Sequence, residues 1–114
     1  MQKLPVMFLI LASSFIVAFA QKPVAREVAP ENRGNSLAAR VVYFTDALED
    51  RPSAQGCIVL YGSKAKIGIN KKNITAKLRE LQFDVSRITF VDVGRVKEGI
   101  KFYIVPAGAA QPDL

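Results

Sequence analysis

Apolar residues recur with a helical period shortly after a polar lead-in. Four of them lie at i, i+4, i+7 and i+11, which is typical of a helix with one buried face: Leu37, Val41, Phe44 and Leu48. Ser36 is placed to cap the N-terminus of this helix, and Pro52 marks its end. The run 41–44 alone could form a strand, but the longer period favours a helix.

Three later runs have the character of strands. Cys57–Tyr61 is continuously apolar and lies between glycines, which is typical of a central strand covered on both faces. Arg87–Val93 alternates between apolar and polar residues, and Ile100–Val105 is stopped by Pro106. The segment Val24–Val28 could add an edge strand.

A second helix is predicted from about Asn70 or Asn73, either of which could cap it, to Leu81. Its apolar residues lie at i, i+4 and i+7: Ile74, Leu78 and Leu81. The preceding stretch, Ser63–Lys72, is predicted to be a basic loop.

The order of these elements predicts the fold class. Helix, strand, helix, strand and strand place a parallel βαβ unit at residues 57–93, whose crossover should be right-handed. The last two strands, joined through 94–99, are expected to form an antiparallel hairpin. We therefore predict an α/β (α+β) two-layer sandwich, with a mixed sheet of three or four strands and two helices on one face.

The N-terminus has the pattern of a secretory leader. Lys3 precedes the uncharged run Leu4–Phe19, and Ala18–Ala20 provides a small-x-small cleavage site. We expect a signal peptide at 1–20, cleaved after Ala20, and a periplasmic or secreted protein. An uncleaved membrane anchor is the alternative, because the run approaches the roughly 17 residues needed to span a bilayer.

The remaining chain is predicted to contain one small domain. Residues 21–35 form a flexible lead-in with mixed charge, 36–106 form the α/β domain, and 107–114 form a flexible tail. Without the leader, fifteen basic and ten acidic residues remain among 94, which gives a net charge near +5.

The residue inventory excludes several kinds of chemistry. The chain has no histidine, so it can form neither a Ser-His or Cys-His pair nor a His-ligated zinc site. Cys57 is the only cysteine, cannot form an intramolecular disulfide, and is expected to be an inert core thiol. Asp46, Glu49 and Asp50 lie on a helix face predicted to be solvated. We therefore predict a non-catalytic protein without cofactor or metal.

Positive charge is concentrated in the middle of the chain. No aspartate or glutamate occurs from Pro52 through Arg79. Because the basic loop leads into a helix N-terminus, whose free N–H groups attract anions, it could bind phosphates or carboxylates. A solvated loop would explain the same lysines, and no aromatic residue interleaves them as a nucleic-acid platform requires. The candidate ligand-binding residues are Lys64, Lys66, Asn70, Lys71 and Lys72.

Four stretches carry a resemblance to a known family: Leu48–Gly56, Ile58–Gly62, Phe83–Ile88 and Tyr103–Ala109. The best of them is Phe83–Ile88, in which a helix end and a short turn with Asp and Ser precede Arg-Ile at the start of a strand. From Val41 to the tail, the chain resembles the OmpA-like periplasmic domain, and more closely short exported bacterial proteins that look like trimmed relatives of it. The resemblance implies an α/β domain of the cell envelope.

The family's ligand contacts carry over only in part. OmpA-like domains hold the diaminopimelate group of peptidoglycan with an aspartate just after the first central strand and an arginine in the following helix. Here Ser63–Lys66 contains no acid, and Asn70, Lys71 and Lys72 stand where the arginine would lie. A ligand with an ammonium and several carboxylates needs both an anion and a cation. The resemblance therefore implies a retained fold and a weak or absent diaminopimelate contact.

Two functions follow as hypotheses. The first is a degenerate OmpA-like module that binds peptidoglycan or another anionic envelope polymer through the basic residues. The second is a structural or accessory protein that binds a protein partner through its sheet edge. Neither involves nucleic acid, and a membrane is involved only if the leader stays uncleaved.

Overall fold

The computed structural model describes residues 23–31, 35–94 and 97–114. The predicted signal peptide at 1–20 and its cleavage site lie outside these residues, as do parts of the predicted lead-in. Among the described residues, no helix combines the length and apolar character needed to cross a bilayer.

The described chain contains two helices and four strands, in this order: β1 (Arg26–Val28), α1 (Leu37–Glu49), β2 (Gln55–Tyr61), α2 (Lys64–Glu80), β3 (Ile88–Val93) and β4 (Gly99–Val105). A 3-10 turn at Val85–Arg87 precedes β3. The Ser36 hydroxyl accepts a hydrogen bond from the Ala39 N–H at 3.2 Å, which confirms the predicted N-cap of α1.

The four strands form one mixed sheet in the order β1-β4-β2-β3. β2 and β3 are parallel, as the βαβ prediction requires, whereas β4 is antiparallel to both β2 and β1. The predicted two-layer α/β class is confirmed, and so is the edge strand within Val24–Val28, which makes part of the predicted lead-in a strand of the sheet.

The position of β4 differs from the expected hairpin. β4 follows β3 along the chain but lies on the other side of β2, so the two strands joined through 94–99 are not paired. Ile100, Phe102 and Ile104 on β4 are all buried, whereas no residue of β3 is fully buried. The more apolar strand therefore takes an interior place in the sheet and leaves β3 at the edge.

Both helices pack on one face of the sheet. Three apolar residues from each helix are buried there against β2 and β4: Val41, Phe44 and Leu48 of α1, and Ile67, Ile74 and Leu78 of α2. The Phe44 and Phe102 rings meet at a centroid distance of 5.1 Å and a tilt of 50°. This contact joins α1 to β4 at the centre of the core.

The opposite face of the sheet has a smaller apolar cluster. Cys57, Val59 and Val105 are buried there, and Tyr103 and Ala109 pack against them. Cys57 is thus a buried free thiol, as predicted, and burial raises its pKa. A raised pKa keeps the thiol protonated and unreactive at neutral pH.

The predicted basic loop at Ser63–Lys72 is wrong, because α2 begins at Lys64. The Ser63 hydroxyl caps the helix by accepting a hydrogen bond from the Lys66 N–H at 3.2 Å, so neither Asn70 nor Asn73 is the cap. Only Ile67 in the first two turns is buried, so the apolar period is too weak there to indicate a helix. Leu81, predicted as core, is the C-cap and is 37% exposed.

The turn after α2 is held by side-chain hydrogen bonds. Asp84 Oδ1 accepts from the Ser86 N–H at 3.0 Å and from the Ser86 hydroxyl at 2.7 Å, and these bonds lower the pKa of Asp84. The guanidinium of Arg87 donates to three carbonyl oxygens at the end of α1 and beyond, at 3.0, 2.9 and 2.8 Å: those of Leu48, Arg51 and Ala54. Arg87 therefore fastens the start of β3 to the end of α1.

The C-terminus of α2 places a side chain in left-handed backbone geometry. Gln82 has φ of +55°, its N–H donates to the Arg79 carbonyl, and the Phe83 N–H donates to the Leu78 carbonyl, both at 3.0 Å. These two bonds form a Schellman motif, whose left-handed position is usually glycine.

Replacing Gln82 by glycine is expected to raise the free energy of unfolding by about 0.5–1 kcal/mol. The left-handed conformation costs a non-glycine residue about 1–2 kcal/mol, and the extra freedom of glycine in the unfolded chain offsets part of the gain. Urea denaturation followed by circular dichroism measures the change. Gln82→Ala is the control because it keeps the strain; equal stability of the two variants would contradict the prediction.

Candidate anion-binding surface

The basic residues of α2 divide between two sides of the helix. At 3.6 residues per turn, successive side chains are rotated by about 100°. Four basic residues lie along one side of the helix, and we call them the cation strip: Lys64, Lys71, Lys72 and Arg79. Of these, Lys64 and Lys71 border β3. Lys77 lines a groove on the other side, between α1 and α2, and Lys66 lies on that side by its helical phase.

A shallow groove follows the cation strip, and its first part borders β3. Its first part encloses about 410 Å³ and includes Lys64, Gly68, Lys71 and, from β3, Asp92. A second part of about 380 Å³ shares Gly68 and Lys71 and continues to Arg79. A Cβ atom added at Gly68 would meet no atom within 4 Å, so an extended ligand could approach the helix closely at this point.

Lys71 is the one member of the strip with a carboxylate partner among the described residues. Its Nζ lies 3.1 Å from Asp92 Oδ2 and 5.7 Å from the centroid of the Phe90 ring. Both charged side chains are about half exposed, and such pairs contribute about 0–1 kcal/mol. An anionic ligand can therefore compete with Asp92 for Lys71. The other three cations can bind such a ligand without displacing a carboxylate partner of the described chain.

The N-terminus of α2 places cations where the helix dipole disfavours them. Lys64 and Lys66 lie in the first turn, which contains no acidic residue. Positive charge at this end costs a helix a few tenths of a kcal/mol per residue, because the backbone N–H groups are already a centre of positive potential. A bound anion beside Lys64, which lines the groove, would relieve this repulsion, whereas Lys66 lies on the other side of the helix.

The structure brings together three of the five predicted site residues and separates two. Lys64, Lys71 and Lys72 share the strip. Lys66 lies on the other side of the helix, and the Asn70 side-chain amide donates to Glu98 Oε1 at 3.2 Å. Arg79 was missed as a site residue, and extending the helical period of α2 back to Ser63 would have placed it in line with Lys64 and Lys72.

The acidic residues that the sequence analysis singled out lie on the surface of α1. Asp46, Glu49 and Asp50 are exposed. In the described part of the chain, no three His, Cys, Asp or Glu side chains come close enough together to hold a metal ion. The lysines and the arginine of the cation strip can attract anions.

No protein-family model matches the chain, and no curated protein shows significant sequence similarity to it. Neither comparison bears on the resemblance to the OmpA-like domain, which stays a prediction.

Proposed function

We propose that this chain is an exported, non-catalytic protein of the cell envelope, a degenerate OmpA-like module that binds an anionic polymer through the cation strip. The observation that carries the proposal is the strip itself: four cations beside one groove, of which only Lys71 has a carboxylate partner among the described residues. The leader pattern at 1–20 and the two-layer α/β fold support an envelope module.

The length of the strip favours a polymer over a single small anion. Lys64 and Arg79 are fifteen residues apart, which corresponds to about 22 Å along the helix. A polymer with repeated carboxylates or phosphates can contact several of these cations at once, so that weak contacts add up. Peptidoglycan carboxylates and phosphate polymers both provide such repeats.

The charges favour a polyanion over the zwitterionic diaminopimelate group. Lysine is a compact point charge, whereas the paired geometry of arginine suits a bidentate carboxylate contact. Three of the four cations in the strip are lysines, and the only acid lining its groove, Asp92, already accepts from Lys71. Binding is therefore expected to depend on total negative charge and to weaken as salt screens exposed charges.

Sedimentation with purified peptidoglycan sacculi at low and high salt tests this function. Reversing two unpaired cations of the strip, in Lys64→Glu/Lys72→Glu, is expected to weaken co-sedimentation at low salt by about tenfold, equivalent to 1.4 kcal/mol. Binding of the unaltered protein should fall as salt rises. A parallel assay with a phosphate polymer identifies which anion is preferred.

The matched control changes net charge equally at a distance from the strip. Lys66→Glu/Lys97→Glu reverses two exposed cations outside the groove and should bind almost as well as the unaltered protein. Equal loss in both double variants would mean that only net charge matters and would refute the strip as the site. Salt-independent binding would refute the electrostatic mechanism.

A further inference from the structure

β3 is a sheet edge without the features that usually protect one. Among the described residues it pairs only with β2, in an uninterrupted register from Ile88 to Val93. The strand contains neither proline nor a bulge, and its one charged residue, Asp92, is paired with Lys71. Natural proteins usually block a free edge with lysine, proline, a bulge or a short strand, because its unpaired backbone groups can bind another strand.

The opposite edge of the sheet is protected. β1 has only three residues, Arg26–Val28, and Pro30 follows it closely. Proline cannot donate to a ladder, and a three-residue strand offers few backbone groups to a partner. β3 is therefore the edge of the sheet that is more available for pairing.

The two faces of β3 present different chemistry to an added strand. Ile88 and Phe90 pack with the core cluster under the helices, on the side where Lys71 reaches Asp92. Val91 and Val93 belong to the opposite face and are partly buried. Because side chains of a strand alternate between faces, every second residue of an added strand would lie on the side of α2, where Lys64 and Lys71 of the cation strip border β3. The other residues would lie beside the valines.

The positive charge of α2 disfavours a second copy of this chain as the added strand. A symmetric pairing of two β3 strands is isologous, so it would bring the same surface of each molecule together. The two cation strips would then lie close together at the interface between the two molecules, and like charges at an interface cost several kcal/mol. An acidic partner turns the same charges into an attraction.

We propose that β3 accepts an extended acidic segment of another protein as a fifth strand of the sheet. The segment alternates aspartate or glutamate, facing the cation strip, with β-branched apolar residues that contact Val91 and Val93. Backbone hydrogen bonds to the β3 edge provide binding, and the alternation provides specificity. This inference goes beyond polymer binding, because it requires the β3 edge and the strip but no polymer.

Synthetic peptides test strand addition on the full chain. A peptide of alternating glutamate and valine is expected to bind and to slow amide hydrogen exchange within Ile88–Val93, and a lysine–valine peptide is expected not to bind. Two further glutamate–valine peptides carry N-methyl groups on alternate residues, so that each has one blocked hydrogen-bonding edge. At least one of them should bind about tenfold more weakly, since the lost ladder bonds are worth more than 1.4 kcal/mol together.

The outcomes separate this proposal from the proposed function. Equal binding of all glutamate–valine peptides, or unchanged exchange at β3, would refute strand addition even if sacculi bind. Loss of peptide binding in Lys64→Glu/Lys72→Glu but not in Lys66→Glu/Lys97→Glu would support it, and equal effects of the two pairs would count against the strip. Peptide binding without co-sedimentation of sacculi would refute only the proposed binding of a polymer.

Discussion

Replacing Arg40 by alanine is expected to lower the free energy of unfolding by about 2–4 kcal/mol. Arg40 lies on α1 and is only 4% exposed. Its Nε donates to the Ala29 carbonyl at 2.9 Å, and Nη2 donates to the Ile100 carbonyl at 2.7 Å. Removing the guanidinium would leave two carbonyl groups without their donors, and each such buried group costs about 1–3 kcal/mol.

The environment of Arg40 shows why its whole side chain matters. The guanidinium carbon lies 4.9 Å from the centroid of the Phe102 ring, and Glu31, 3.9 Å from Nη1, is largely exposed. Burial lowers the pKa of Arg40, and the carboxylates of Glu31 and Glu27 partly oppose this effect. The hydrogen bonds and the ring contact of Arg40 therefore contribute more to the stability of the fold than its long ion pair with Glu31 does.

Two variants distinguish these contributions in urea denaturation followed by circular dichroism. Arg40→Met keeps much of the apolar contact but has no donor, and it should recover only part of the loss seen with alanine. Arg40→Lys keeps the charge without the forked donor geometry and should also be less stable than the original protein. A methionine variant as stable as the original protein would contradict the importance of the hydrogen bonds.

Replacing Gly56 by alanine is expected to lower the free energy of unfolding by about 1–3 kcal/mol, the usual range for overpacking a core. Gly56 lies in β2 directly beneath α1, and an added Cβ would come within 2.5 Å of Phe44 Cζ and 2.9 Å of Leu48 Cδ1. Both side chains are fully buried, and Phe44 is already in contact with the Phe102 ring. Neither can move aside without disturbing the centre of the core.

Gly68→Ala is the matched control for this experiment. Gly68 lies inside α2, where an added Cβ meets open space, and alanine in a helix interior is about 0.8–1 kcal/mol more favourable than glycine. The same substitution should therefore destabilise the protein at Gly56 and stabilise it at Gly68. If the free energy of unfolding of the Gly56 variant lies within about 0.5 kcal/mol of that of the original protein, the prediction is contradicted, and α1 can shift away from the sheet.

The helical and strand patterns identified those elements that bury a regular apolar stripe. α1 and β2 were predictable because their buried residues follow a period of about four in the helix and form an unbroken run in the strand. The first two turns of α2 could not be predicted in this way. They bury only Ile67 and are stabilised by the Ser63 cap and by continuity with the later turns.

The strand order and the roles of two arginines depend on contacts that are remote in sequence. Arg40 reaches Ile100 across sixty positions, and Arg87 reaches Leu48 across thirty-nine. No local pattern distinguishes such arginines from solvated ones. The composition of the sequence identified most of the basic residues of the candidate site. It did not show which of them share one side of a helix, because that depends on where α2 begins.

The interior place of β4 has a consequence for how the molecule is completed during synthesis. β4 takes part in two of the three described ladders, and it is the last of these strands to be made. A nascent chain that has not reached Gly99 can form the β2–β3 pair but cannot recruit β1. The described sheet is therefore completed only after its last strand has been made, and such non-local pairing forms slowly.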